Sequence, residues 1–235
     1  FYALAEKQGD NPQRIVGVVT GLVLFALNFA VVSDDIAISG DARSVFAGGG
    51  AFLLLVLPVM FICELYRKGE NPVANVGTTL LGVVYVALPL SLMCYIPIVG
   101  DQGWNPWVML FFIFIIWAND VFAYLVGMSI GRHKLFERLS PKKSWEGFFG
   151  GVVSAVAVGA LMGWWQDASP VLWAGAGLVI SVSGVYGDLV ESMLKRSVNL
   201  KDSGHIIPGH GGLLDRFDAL LLAVPFAFVY LVIFA

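Results

Sequence analysis

Apolar residues in this chain neither alternate nor keep to one helical face; they run on. Seven stretches, roughly 15–33, 45–66, 76–99, 106–130, 147–165, 171–194 and 216–235, are almost continuously apolar. Runs of about 20 such residues suit helices that cross a bilayer core. The pattern predicts an all-α, polytopic transmembrane helix bundle with about seven spans. Pro89 and Pro97 in the third run and Pro225 in the last predict kinks, because membrane helices tolerate proline. Glycines at 147, 150 and 151, and at 175 and 177, predict close helix packing. With no repeat, low-complexity tract or long linker, the chain reads as one integral membrane domain, 1–235. It opens on Phe1 rather than Met, inside what reads as the end of an element. One or two further N-terminal spans are therefore expected.

The polar residues between the runs set the orientation. Lys7 and Arg14 precede the first run, and Arg67 and Lys68 follow the second. Arg132, Lys134, Arg138, Lys142 and Lys143 follow the fourth, and Lys195, Arg196, Lys201 and Arg216 lie around the sixth loop. Arg43 alone falls on the other side, beside Asp34, Asp35, Asp41, Asp101 and Asp167. By the positive-inside rule the basic loops face the cytoplasm and the C-terminus lies outside; the expected location is a bacterial cytoplasmic (inner) membrane with the active site on its cytoplasmic face. Composition agrees: 58% of residues are hydrophobic and 13% charged, where a soluble domain has about 25% charged residues. Cys63 and Cys94 fall near opposite faces, form no zinc motif, and read as packing residues.

Chemistry is expected where acids interrupt the apolar runs. Asp120, Asp188 and Glu191 sit inside spans, and a charge near a helix centre costs about 2.5–3.5 kcal/mol. Asp188, Glu191, Ser192 and Lys195 share one helix face by spacing. An ion pair between Glu191 and Lys195 would ease burial and nothing more; Asp188 has no such local partner. The next loop packs Lys195, Arg196, Lys201, Asp202, His210, Gly211, Gly212, Asp215, Arg216 and Asp218 ahead of the last run. Cations and a helix N-terminus attract phosphate, and carboxylates with phosphate suit Mg²⁺. Alone, Asp215 could equally be a helix cap with Asp218 three residues on. Lys142 and Lys143, in the fourth loop, could equally set topology alone.

The run Ser192-Met193-Leu194-Lys195-Arg196, Lys201-Asp202-Ser203-Gly204, Pro208-Gly209-His210-Gly211-Gly212 and Asp215-Arg216-Phe217-Asp218 resembles the signature of the phosphatidate cytidylyltransferase (CDP-diglyceride synthase) family. Ser140-Pro141-Lys142-Lys143-Ser144-Trp145-Glu146-Gly147 is similar to a second family segment. The likeness covers about 115–235, the signature-bearing catalytic part. It implies that CTP and phosphatidic acid, in membrane lipid, give CDP-diacylglycerol and pyrophosphate by in-line attack of the lipid phosphate on the CTP α-phosphorus. Catalysis is then expected from Asp188, Asp215, Lys195, Arg216 and His210. Substrate binding is expected from Lys142, Lys143, Ser192, Arg196, Lys201, Asp202, Gly211, Gly212 and Asp218. Asp188 and Asp215 are expected to hold Mg²⁺, with Asp120 as a further acid and room for a second cation. Nucleic acid is not expected as a partner, and a homo-oligomer is compatible. Two alternatives stay open: a CTP-dependent polyprenol or phytol kinase, which would release CDP, and an ion-coupled transporter using Asp120, Asp188 and Glu191 as its path.

Overall fold

A computed structural model describes residues 1–32, 42–99, 104–200, 202–204 and 212–234, with the side chains of 42–49, 51 and 53 set aside. Its contacts group into two units, Phe1–Tyr95 and Ile96–Ala235.

The first unit begins with the short helix α1 (Tyr2–Gln8), which Gly9 ends in the left-handed conformation at φ 103°, where glycine pays no Cβ penalty. Then come α2 (Arg14–Val32) and α3 (Ala42–Arg67). The third apolar run becomes one long but irregular helix. It is α4 (Pro72–Gly82), a π-helical turn over Val83–Ala87, α5 (Leu88–Leu92) and a 3₁₀ segment over Met93–Ile98. The expected prolines sit at these changes of winding. Proline lacks the N–H that the preceding turn would use, so the ladder loosens there. Leu24, Val56, Met60, Val76 and Val83 form the apolar core of this unit.

Its polar clasp is also buried. Glu64 accepts from Gln13 Nε2 at 2.7 Å, from Asn75 Nδ2 at 2.7 Å and from Arg67 at 2.9 Å. The Gln13 N–H donates to Thr79 Oγ1 at 2.8 Å, and Arg67 donates to Asn11 Oδ1 at 2.8 Å. The Tyr2 hydroxyl donates to the Thr79 carbonyl at 2.8 Å. Burial pushes the Tyr2 phenol up to about 12.

The second unit is α6 (Pro106–Ile130), a hairpin of β1 (Lys134–Phe136) and β2 (Ser140–Ser144), α7 (Trp145–Trp165), α8 (Pro170–Ser197) and α9 (Leu214–Phe234). The hairpin is a local departure from the all-α expectation: Lys134 pairs with Ser144 and Phe136 with Ser140, with a register shift between. Capping explains where the helices start. Asn105 accepts from the Trp107 N–H at 3.1 Å ahead of Pro106, and Ser144 accepts from Gly147 N–H at 3.2 Å. Successive helices pack on one another, α6 on α7, α7 on α8 and α8 on α9, and α6 also touches α8.

Missing side chains set these approaches. A Cβ on Gly177 would stand 3.1 Å from Val156 Cα, and one on Gly187 would stand 3.1 Å from Ala219 Cα and against the Asp218 carbonyl. Small residues let membrane helices meet backbone to backbone. Among the described residues six helical segments are long and apolar enough to cross a bilayer: α2, the composite Pro72–Ile98, α6, α7, α8 and α9. The remaining expected run forms α3, whose 26 residues also have crossing length at about 1.5 Å each. Large apolar side chains point outward along the spans, Val171 at 81% exposure among them. The chain is thus a multi-pass integral membrane protein. Cys63 and Cys94 are free and partly buried.

Candidate active site

The second unit holds a cavity of about 710 Å³, within the roughly 300–1,000 Å³ of small-molecule sites. Four carboxylates line it, Asp120, Asp188, Asp215 and Asp218, together with three ammonium groups, Lys134, Lys142 and Lys143. The acids arrive from three helices: α6 brings Asp120, α8 brings Asp188, and the first two turns of α9 bring Asp215 and Asp218. The lysines come from the hairpin. Its base is fixed by Glu146, which accepts from the Arg132 N–H at 3.1 Å and pairs with His133 Nδ1 at 2.6 Å.

The expected face of α8 is realised. The Ser192 hydroxyl donates to Asp188 Oδ1 at 3.3 Å, and Lys195 pairs with Glu191 one turn back. Glu191 is wholly buried. Lys195 also reaches across to α9, where its Nζ lies 2.7 Å from Asp215 Oδ1. Lys143 pairs with Asp188 from the hairpin side. Each of the two acids expected to hold a cation therefore carries a lysine ammonium. Asp215 has a second task. Its Oδ2 accepts from Ser203 N–H at 2.9 Å, Ser203 Oγ at 2.7 Å and Gly212 N–H at 2.7 Å, which ties the loop to the start of α9. Asp215 is thus not the N-cap its sequence allowed: it is the second residue of α9, accepts from N–H groups that precede the helix, and also lines the cavity.

One carboxylate oxygen each from Asp188, Glu191 and Asp218 lies within 4.8 Å of the others. The expected pairing was Asp188 with Asp215; this grouping instead joins Asp188 to Glu191, which spacing had left as an ion-pair partner, and to Asp218, which the resemblance had left as a substrate-binding residue, and it does not include Asp215. Asp120, the further acid, lines the same wall. Arg196 is exposed and donates to the Leu200 carbonyl at 3.3 Å. Arg196, Arg216 and Asp202 are not among the described residues lining the cavity. Lys201, His210 and Gly211 lie outside the described residues.

Sequence reasoning missed Lys134 and Asn119. Lys134 was read as one more topology charge, and only its strand pairing brings it to the wall. Asn119 is buried; its Oδ1 accepts from the Ser181 hydroxyl at 2.5 Å and its Nδ2 donates to Asp120 Oδ1 at 3.3 Å. Its place beside an intramembrane acid was the available signal.

The cytidylyltransferase family profile matches residues 3–234, nearly the whole chain. A phosphatidate cytidylyltransferase of Staphylococcus haemolyticus (strain JCSC1435) is 39% identical over 235 residues, 98% of this chain and 85% of that protein. One of Rickettsia bellii (strain RML369-C) is 30% identical over 184 residues, 75% of this chain and 77% of the relative. One of Staphylococcus epidermidis (strain ATCC 12228 / FDA PCI 1200) is 42% identical over 126 residues, where the match spans 53% of this chain and about half of the relative, 48%. The chain belongs to the cytidylyltransferase family and is a nucleotidyltransferase.

Proposed function

We propose that this enzyme transfers CMP from CTP to the phosphate of phosphatidic acid, giving CDP-diacylglycerol and pyrophosphate at the cytoplasmic face. The observation that carries the reading is a cavity at the loop ends of membrane helices in which three lysines face four carboxylates. Relatives named phosphatidate cytidylyltransferase support the choice of lipid acceptor.

Both reactants are anions, so their repulsion is the first obstacle. Lys134, Lys142 and Lys143 would offset it by meeting phosphate oxygens, since charge-assisted hydrogen bonds are the stronger kind. The lipid phosphate is already ionised near neutral pH and needs no strong base. Its oxygen bonds to the α-phosphorus as the bond to the bridging oxygen of the β-phosphate breaks, and that electron pair leaves with pyrophosphate. The chain's part is alignment and fixed charge. Lys195, held between Glu191 and Asp215, keeps those acids in place.

The donor set fits a hard divalent cation. Lys143 and Lys195 bring two positive charges to the four acids Asp188, Glu191, Asp215 and Asp218, so the group keeps an excess of negative charge that a cation would offset, and oxygen ligands suit Mg²⁺. Asp188 would hold it with Glu191, Asp218 or Asp215, and Asp120 could serve a second cation. Bound there, Mg²⁺ would withdraw charge from the phosphates.

Purified protein given CTP, phosphatidic acid and Mg²⁺ should release pyrophosphate and form lipid-linked CMP in equal amounts. Release of CDP with a phosphorylated alcohol would instead establish the kinase alternative. Orientation is tested separately. A cysteine at Ser140 should be labelled from the cytoplasm alone, and one at Asp167 from outside alone. Labelling of Ser140 from outside would overturn the cytoplasmic placement.

A further inference from the structure

The hairpin between α6 and α7 carries two sets of cations. Lys134, Lys142 and Lys143 line the cavity, whereas Arg132 and Arg138 are exposed and are not among its lining residues. Five cations in 131–143 face one carboxylate there, Glu137. Glu146, the next acid, is already engaged by His133 and by the backbone at 132 and 133. The charge on Arg132 and Arg138 therefore exceeds what the hairpin's own acids can match.

An independent observation fixes the level of this charge. At the foot of the hairpin Trp145 and Phe149 stack, with ring centroids 6.0 Å apart, and Phe148 lies edge-on to Trp145 at 5.7 Å. Trp145 and Phe149 are 43% and 58% exposed, and Phe136 on β1 is also exposed. An exposed Trp at the end of a membrane helix, as Trp145 is at the start of α7, settles at headgroup depth. Because α6 and α7 both have the length and hydropathy of spans, the hairpin that joins them meets a membrane surface whichever way the protein is oriented.

We infer that the exposed residues Arg132, Phe136 and Arg138 of this hairpin dock anionic phospholipid headgroups of the surrounding bilayer and so concentrate lipid phosphate beside the cavity. The inference rests on the proposed lipid-phosphate acceptor. Each cation at a bilayer surface is worth roughly a fivefold enrichment of anionic lipid. Charges that merely set topology would show no such preference for lipid over position.

The test uses the full chain in phosphatidylcholine bilayers, with Arg132→Gln/Arg138→Gln against a control pair, Lys7→Gln/Lys68→Gln, which removes two other exposed charges of the basic loops. One readout is kinetic. The hairpin variant, which removes two such cations, should raise the KM for phosphatidic acid by up to about 25-fold, leaving kcat and the KM for CTP unchanged, and the control should do neither. The second readout needs no turnover. Spin-labelled phosphatidylglycerol should be immobilised in preference to spin-labelled phosphatidylcholine by the wild type and by the control, and not by the hairpin variant. Arg138→Gln alone, away from the backbone bonds to Glu146, should show a smaller shift in the same direction. An unchanged lipid preference, or an equal loss in the control, overturns the inference. A rise confined to the KM for CTP overturns it as well, by assigning these cations to the nucleotide. If the wild type forms no lipid-linked CMP, the proposed reaction fails while the spin-label readout still decides the docking surface.

Discussion

Glu64 and Glu191 are both acids buried in apolar helices, and their surroundings are opposite. Glu64 is met by donors from three directions, the Gln13 and Asn75 amides and the Arg67 guanidinium. Around Glu191 stand Lys195 and other acids: Asp188 and Asp218 within 4.8 Å, with Asp215 sharing the same lysine. The first arrangement is electrostatically closed and asks for nothing more. The second concentrates negative charge at the edge of a cavity and becomes favourable when something positive joins it. A buried carboxylate alone does not identify a site; the sign of its neighbours does.

The largest effect that would sharpen this contrast is on turnover at the open cluster. Asp188→Asn keeps shape and removes charge, so it should lower activity by about 10²-fold or more, in line with losing a principal electrostatic group, with a melting temperature close to wild type in detergent. Glu64→Ala should do the reverse. It strands the Gln13, Asn75 and Arg67 donors and should cost about 3 kcal/mol of stability, read as a lower melting temperature, while activity per folded molecule stays within about twofold. If Glu64→Ala proved stable and inactive, the comparison would collapse.

Intermediate effects are expected where the two behaviours overlap. Lys195→Met should lower activity at least about tenfold, because charged hydrogen bonds are worth about 1.5–3 kcal/mol. Asp215→Asn should lower turnover about tenfold or more, the loss of one charged hydrogen bond to Lys195. If near-normal turnover and an unchanged Mg²⁺ dependence survive, Asp215 only orders Ser203 and Gly212. The smallest effect lies at the opposite end of α8, where Ser169 accepts from the Leu172 N–H at 3.4 Å. Ser169→Ala should cost about 0.5 kcal/mol and leave kinetics untouched, as measured by thermal unfolding and initial rates.

The spans were legible because uninterrupted apolarity over about 20 residues has few other meanings. The face of α8 was legible because Asp188, Ser192 and Lys195 recur at helical spacing within one continuous helix. What was not legible depends on contacts between elements. Spacing along α9 cannot say that Asp218 comes close to Asp188, since that follows from how α8 lies on α9. Nor can it say that 134–144 pairs as strands, because Lys-Leu-Phe and Ser-Pro-Lys-Lys-Ser carry no clear alternation. The π-helical turn at Val83–Ala87 was foreshadowed by Pro89 as a kink, but its form depends on how the freed backbone groups repack.

Gly187 adjoins Asp188, and the atom it lacks would press on the backbone of Asp218. The separation of those two acids is thus set by a ruler of backbone against backbone, not by the acids themselves. At the proposed cation site, ion selection by radius would then be a property of helix spacing. Gly187→Ala removes none of the proposed ligands yet must push α9, with Asp215 and Asp218, outward, which should favour larger divalent ions over Mg²⁺ in a competition measured by turnover with Mg²⁺, Mn²⁺ and Ca²⁺.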